Sequence, residues 1–278
     1  MGRIGRGWQM TKMSLGIIRK DKEILIFPVL SGLFTILILG SFIGGMFITS
    51  GLSVFSEGSS QWVLYAFLVV FYFVSFFIAI FFKSAIIGCA MIRMNGGDPT
   101  VSDGLRIAGQ NIRRILLWSL VAATVGIIIR SLQSRSGLIG RIILGIVGIA
   151  WTIVTYFVVP VLIYENLGPW AAVKRSASIL KHTWGEALVG NLGMGIIFVL
   201  LAIPGMLGVF IGILGIIQWS LAIGLTVLVA SIVYLLIVAI VNSAAEAVLV
   251  AALYRYATTG QVSPEFQGFS FQQPFVAR

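Results

Sequence analysis

One cysteine, one histidine and 9 acidic residues are the whole supply of thiol, imidazole and carboxylate in a chain of 278 residues. With Cys89 alone, an intramolecular disulfide and a multi-cysteine metal site are both excluded. A zinc site needs several His, Cys or carboxylate ligands together, and His182 cannot supply them. No Walker A loop, GxSxG elbow or paired-cysteine motif occurs. Gly190, Gly193 and Gly195 lie early in an apolar run with no strand before them, so they read as close helix packing and not as a phosphate loop. Charge is scarce as well. Only 10% of residues are charged and 59% are hydrophobic, whereas soluble domains carry about 25% charged residues. The chain therefore reads as an integral membrane protein that is not an enzyme, with no catalytic residue, cofactor or metal expected.

The charges that exist are unbalanced, 19 Lys and Arg against 9 Asp and Glu. In a soluble protein that excess would suggest nucleic acid. Here the basic residues flank apolar stretches, so they read as orientation signals in a bilayer and no nucleic acid is expected. The apolar stretches run over about 24–48, 61–92, 115–130, 138–164, 187–215 and 219–254, and a hydrocarbon core of ~30 Å needs ~20 helical residues. Six spans are expected. The third closes early at Arg130 and Arg135 and must borrow residues from the basic segment before it. Between Ala187 and Tyr254 the only charge is Glu246, and Pro204, Gly205 and Gly208 leave a kink, a turn or a re-entrant segment open there. The first apolar run is of spanning length and follows a long, interrupted basic segment, so it is expected to stay as a span and not to be a cleaved leader.

An internal repeat organises the chain. Trp8, Lys12, Ser14, Ile17, Ile18, Arg19 and Lys20 recur 162 residues on as Trp170, Lys174, Ser176, Ile179, Leu180, Lys181 and His182. A worn copy lies between them, with Arg106, Ile112, Arg113 and Arg114 at matching offsets, Ser102 in place of the Trp and Ala108 in place of the Ser. Each copy precedes a long apolar region. The predicted architecture is thus all-α, a polytopic bundle of six spans in three tandem units, each an amphipathic interfacial helix followed by a transmembrane hairpin. The units cover about 1–95, 96–166 and 167–262 of a single membrane domain, with a tail at 263–278. The same shift maps Arg93 onto Arg255, which favours two spans and not three in the last region.

Arg130, Arg135 and Arg141 fall on one side of these spans and every other Lys and Arg on the opposite side. The positive-inside rule then places both termini in the cytoplasm of a cell-membrane protein. Trp170, Val173, Ala177, Leu180 and Trp184 share one face of a helical wheel, as do Val101, Leu105, Ala108, Ile112 and Leu116. Trp8, Leu15 and Ile18 do so less cleanly, because Met13 and Ile17 lie opposite, as in a helix covered by protein on both sides. Trp8, Lys12, Arg106, Arg113, Arg114, Trp170, Lys174, Arg175, Lys181 and Trp184 are accordingly expected as interfacial anchors. Together they would form a basic collar able to gather anionic lipids or an acidic partner. Gly40 with Gly44, and Gly208 with Gly212, have the spacing of helix contacts, within one chain or between copies of a homo-oligomer.

Inside the spans, Lys83, Glu246, Asn242 and Asn191 form a candidate polar cluster, with Ser243 near it. Lys83 lies ten residues before Arg93 and Glu246 nine before Arg255, so the repeat puts them at similar depth, about 14 Å from the helix end at 1.5 Å per residue. They are expected to pair, as a buried ion pair that fixes packing or as part of a path for a solute. Glu165 is expected at the rim beside Arg93 or Arg255.

Several short stretches carry a family resemblance: Asp21-Lys22-Glu23 through Phe27-Pro28, Tyr164 to Asn166 before Lys174-Arg175-Ser176, Trp184-Gly185-Glu186, and Leu253-Tyr254-Arg255-Tyr256-Ala257-Thr258-Thr259-Gly260. They make the chain resemble, over nearly its whole length, a prokaryotic family of six-span membrane proteins known as a domain of unknown function. The layout is more distantly similar to the membrane domain attached to some bacterial glycerophosphodiester phosphodiesterases, whose catalytic domain is absent here. The resemblance implies a fold and no activity. Two functions are carried forward: a non-enzymatic scaffold or accessory protein whose basic cytoplasmic face meets lipids or another membrane protein, and a small-solute or lipid transporter or channel using the intramembrane polar cluster.

Overall fold

The computed structural model describes residues 3–50, 61–218 and 220–261, and all of its regular structure is helical. The helices are α1 (Arg3–Lys20), a 3-10 turn (Lys22–Leu25), α2 (Ile26–Ser50), α3 (Gln61–Met94), α4 (Val101–Gln110), α5 (Ile112–Arg135), α6 (Leu138–Val154), α7 (Val158–Tyr164), α8 (Pro169–Gln218) and α9 (Leu221–Thr259). Six segments are long and apolar enough to cross a membrane: Lys22–Gly45, Tyr65–Met94, Ile112–Arg135, Leu138–Tyr164, Gly193–Gln218 and Leu221–Thr259. The third span does take in the basic stretch, starting at Ile112, and near its C-terminal end Arg130 lies over the Tyr72 ring at 5.6 Å. Pro204 neither turns nor breaks the chain, because α8 runs from Pro169 to Gln218 with Pro204 inside it. The ring leaves the Leu200 carbonyl without its helical donor, and one residue on the Tyr234 hydroxyl donates to the Leu201 carbonyl at 2.7 Å.

Helix ends follow their local chemistry. Pro169 opens α8, where an absent N–H costs nothing. Thr100 caps α4 in a capping box with Asp103. The Thr100 hydroxyl, then its backbone N–H, and then Arg106 hold the Asp103 carboxyl below the ordinary aspartate range. Gly96 (φ +85°) closes α3 with two reverse bonds, from its own N–H to the Arg93 carbonyl and from the Gly97 N–H to the Ile92 carbonyl. Gly260 (φ +68°) ends α9 the same left-handed way.

The chain divides into two compact units. The first comprises Met1–Leu25, Ala90–Pro99 and His182–Arg278. In it α1 packs along α9, burying Met10, Thr11, Ser14, Ile17 and Ile18, a set spaced for one helix face. From Ala244 to Tyr254 every residue of α9 is buried except the half-buried Glu246. Asp21 is buried in the turn after α1 and its carboxylate accepts two hydrogen bonds from Arg93. Arg255, the repeat partner of Arg93, donates to the Met94 carbonyl at the end of α3. The paired part of α8 and α9 is built on small residues, since Gly208 faces Ser231 and Gly212 faces Leu228.

The second unit comprises Ile26–Cys89 and Thr100–Lys181. There α4 crosses α3 at Gly104, where an added Cβ would lie 2.8 Å from the Cys89 sulfur and 2.5 Å from the Phe27 ring. Trp118 stacks on Trp151 with centroids 6.0 Å apart. Between α6 and α7 the fourth span breaks, a feature absent from the apolar pattern. Ser176 bridges the break: its hydroxyl donates to the Val154 carbonyl at 2.6 Å and accepts from the Phe157 N–H at 3.0 Å. Replacing Ser176 by Ala is expected to cost about 1–3 kcal/mol, because a buried amide loses its acceptor. The repeat supplies the control. Ser14 is equally buried, and its hydroxyl has no hydrogen-bond partner among the described residues, so Ser14→Ala is expected to be neutral or mildly stabilising. Thermal unfolding of the two variants in detergent measures the difference.

Candidate functional site

The three repeat copies place their residues in a common register. The positions of Met10, Gly104 and Ala172 are buried, and so are those of Ser14, Ala108 and Ser176. The side turned into protein is therefore the line of Met10, Ser14 and Ile17 with its repeat equivalents, roughly 120–180° around the helix from the Trp. The Trp side is left outward. Trp8 is 45% exposed and Trp170 63%, and the Lys12 ammonium sits 5.1 Å from the Trp8 ring centre. Lys12, Arg19, Lys20, Arg106, Arg113, Lys174, Arg175 and Lys181 are all exposed.

The copies differ in how much apolar stripe they keep. In the second, Leu105, Ile112 and Leu116 remain exposed, as an interfacial helix requires, while Ala108 is buried. In the third, Leu180 is buried and Val173 and Ala177 are half-buried. In the first, Ile17 and Ile18 are buried on the same face as Met10 and Ser14, while Met13 and Leu15 are half-buried and Trp8 is exposed, so burial is complete on one side of the helix and not on two. Arg114 is half-buried and bonded to Asn111 and Asn166 at 2.7 Å each. Glu165 pairs with Arg175 at 2.8 Å, and Arg93 pairs with Asp21 and Asp98. The rim bridge expected of Glu165 thus exists with a different arginine, ten residues along the same connection. The side chains of Trp184, His182 and Asn191 lie outside the described residues.

A cleft of about 500 Å³ opens in the first unit. Met194, Gly195, Ile196, Val199 and Leu200 of α8 form one wall, with Asn242 and Glu246 of α9 opposite. The register of the two helices explains the meeting. Gly205 lies against Leu235, Gly208 against Ser231 and Gly212 against Leu228, and the same antiparallel pairing continued inward brings Met194 level with Glu246. Asn242 and Glu246 are one helical turn apart and share a face. Ser243, between them, is exposed and is not part of the lining. Lys83 is half-buried on α3, in the other unit.

Depth follows from counting. Large apolar residues of α9 are exposed from Leu221 to Ile237, and those of α8 from Ile196 to Ile217. With Leu221 at the far surface, a core of ~30 Å is used up by about residue 241 at ~1.5 Å per residue. Asn242 then sits at the hydrocarbon edge and Glu246 about 7 Å beyond it, at the level of headgroups. At 39 residues α9 is longer than a core of ~30 Å requires. Ile196, Val199 and Leu200 carried no distinguishing signal in the sequence, since apolar residues at that helical spacing also describe plain lipid contact.

The model of a family of unknown function (DUF6159) matches residues 62–264. No curated protein matches the chain.

Proposed function

The chain belongs to this family of unknown function, and we propose that it is a non-enzymatic integral membrane protein whose basic cytoplasmic helices hold anionic lipids or an acidic partner. One observation carries the reading. The repeated helices turn Trp8, Lys12 and Arg19, and likewise Trp170, Lys174 and Lys181, outward while burying their small residues. An exposed Trp beside exposed Lys is the pattern of a headgroup-level anchor. An even number of spans between copies, together with the distribution of Lys and Arg, supports reading their side of the membrane as the cytoplasmic one.

Each outward base near an anionic leaflet contributes ~1 kcal/mol, about fivefold in affinity. Full-length protein with Lys12→Glu, Arg113→Glu and Lys174→Glu is expected to lose anionic phospholipid selectivity by at least about two orders of magnitude at low salt, and wild type is expected to lose much of it at high salt. Spin-labelled lipid partitioning in reconstituted bilayers measures it. Unchanged selectivity in the triple variant would sink the proposal. A second reading, movement of a small solute or lipid past Glu246, rests on the cleft, and flux into proteoliposomes is its measurement.

A further inference from the structure

We propose that the cleft between α8 and α9 seats one phospholipid bearing a primary ammonium headgroup. This is a second site of opposite charge preference to the basic helices. The order of chemistry along the cleft matches the order along such a lipid. Glu246 lies outermost, at headgroup level, where a carboxylate receives an ammonium. Asn242 lies one turn deeper, at the hydrocarbon edge, where its amide can donate to ester or glycerol oxygens. Val199 and Leu200 lie deeper still, 64% and 60% exposed, and offer a wall to the first part of an acyl chain.

Charge decides the headgroup. Among the described residues lining the cleft there is no Lys or Arg, so a phosphate without an ammonium would meet the Glu246 carboxylate there and no lining cation. A carboxylate has about four acceptor sites, so a bond that Glu246 makes within the protein leaves room for an ammonium. A quaternary ammonium has no N–H to give and loses the hydrogen bond. Size decides the extent: about 500 Å³ lies within the usual range for small-ligand pockets, ~300–1,000 Å³, enough for a headgroup and the start of one chain.

The test uses full-length protein in nanodiscs with a photoreactive group near the head of the acyl chain. Three probes share that group and carry ethanolamine, choline or glycerol heads. Adducts are mapped by mass spectrometry of the peptides holding Ile196–Leu200 and Asn242–Glu246. The ethanolamine probe is expected to exceed the other two at these peptides by roughly tenfold, the worth of one charge-assisted hydrogen bond, and Glu246→Gln is expected to erase the excess. Val199→Trp, which fills the apolar end without changing charge, is expected to lower labelling by the ethanolamine probe and to elute as a monodisperse protein, so it decides the matter if Glu246→Gln does not fold. Equal labelling by the three probes would mean ordinary boundary lipid and would overturn the proposal. Full suppression by free ethanolamine in solution would overturn it too, in favour of a site for a soluble amine.

Discussion

Gly212→Ala and Gly224→Ala are each expected to destabilise the protein by about 2–3 kcal/mol, as overpacking against unyielding atoms does. A Cβ at Gly212 would lie 2.7 Å from the Leu228 amide nitrogen, and one at Gly224 would lie 2.2 Å from that of Ile216. Both obstacles are backbone, so relief requires the two helices to part, which breaks neighbouring contacts along the hairpin. Gly208 provides a graded comparison: its Cβ would meet the Ser231 hydroxyl at 2.2 Å, and a hydroxyl can rotate away, so Gly208→Ala costs less. Gly40 and Gly44 are the opposite case. Neither meets anything within 4 Å, so Ala there gains helix propensity, about 0.5–1 kcal/mol each, with no clash. Unfolding in mixed detergent micelles ranks the five variants. Wild-type stability for Gly224→Ala would mean that α8 and α9 do not pack in this register.

The two glycine pairs also show where sequence reading stops. Gly40 with Gly44 and Gly208 with Gly212 have the same spacing, and spacing alone assigns both to helix contacts. Among the described residues, the second pair makes one, because Ser231 and Leu228 of the antiparallel neighbour arrive opposite it, and the first pair does not. Six spans were legible because a span is a matter of length and hydropathy, both local quantities. The two-span ending at α8 and α9 was legible through the repeat, which carries Arg93 onto Arg255. The break before α7 was not, since Thr155, Tyr156 and Phe157 interrupt no apolar run, and the residue that stitches the gap, Ser176, comes from a helix two elements on. The outward face of the basic helices was half legible. Trp8, Lys12, Trp170 and Lys174 are exposed, but the wheel put Leu180 on the same lipid-facing stripe as Trp170, and Leu180 is buried. Of the candidate polar cluster, Asn242 and Glu246 do share one cleft. Its apolar wall could not be foreseen, because lipid contact and ligand contact ask for the same side chains.

Asp21→Ala is expected to cost about 3 kcal/mol, toward the lower end for breaking a buried ion pair. Asp21 follows the last turn of α1, beside Arg19 and Lys20, where the helix dipole disfavours an anion. Arg93 is what holds it there. The guanidinium donates to both oxygens of the Asp21 carboxylate, whose side chain is 4% exposed, and the arginine itself is 21% exposed. Removing Asp21 leaves Arg93 with Asp98, whose side chain is 91% exposed and screened by water. That residual partner and a partial route to solvent keep the loss at ~3 and not 5 kcal/mol. Asp98→Ala is correspondingly expected to cost less than about 1 kcal/mol. The paired change Asp21→Leu with Arg93→Met removes both charges together and is expected to recover much of the loss, because neither partner is then stranded. A double-mutant cycle read by chemical unfolding in detergent gives the coupling. A coupling of about 2 kcal/mol or more identifies the bridge as the clamp that closes α1 onto the end of α3, and a value below about 0.5 kcal/mol, the limit for independent sites, would show that apolar packing of α1 along α9 holds this end by itself.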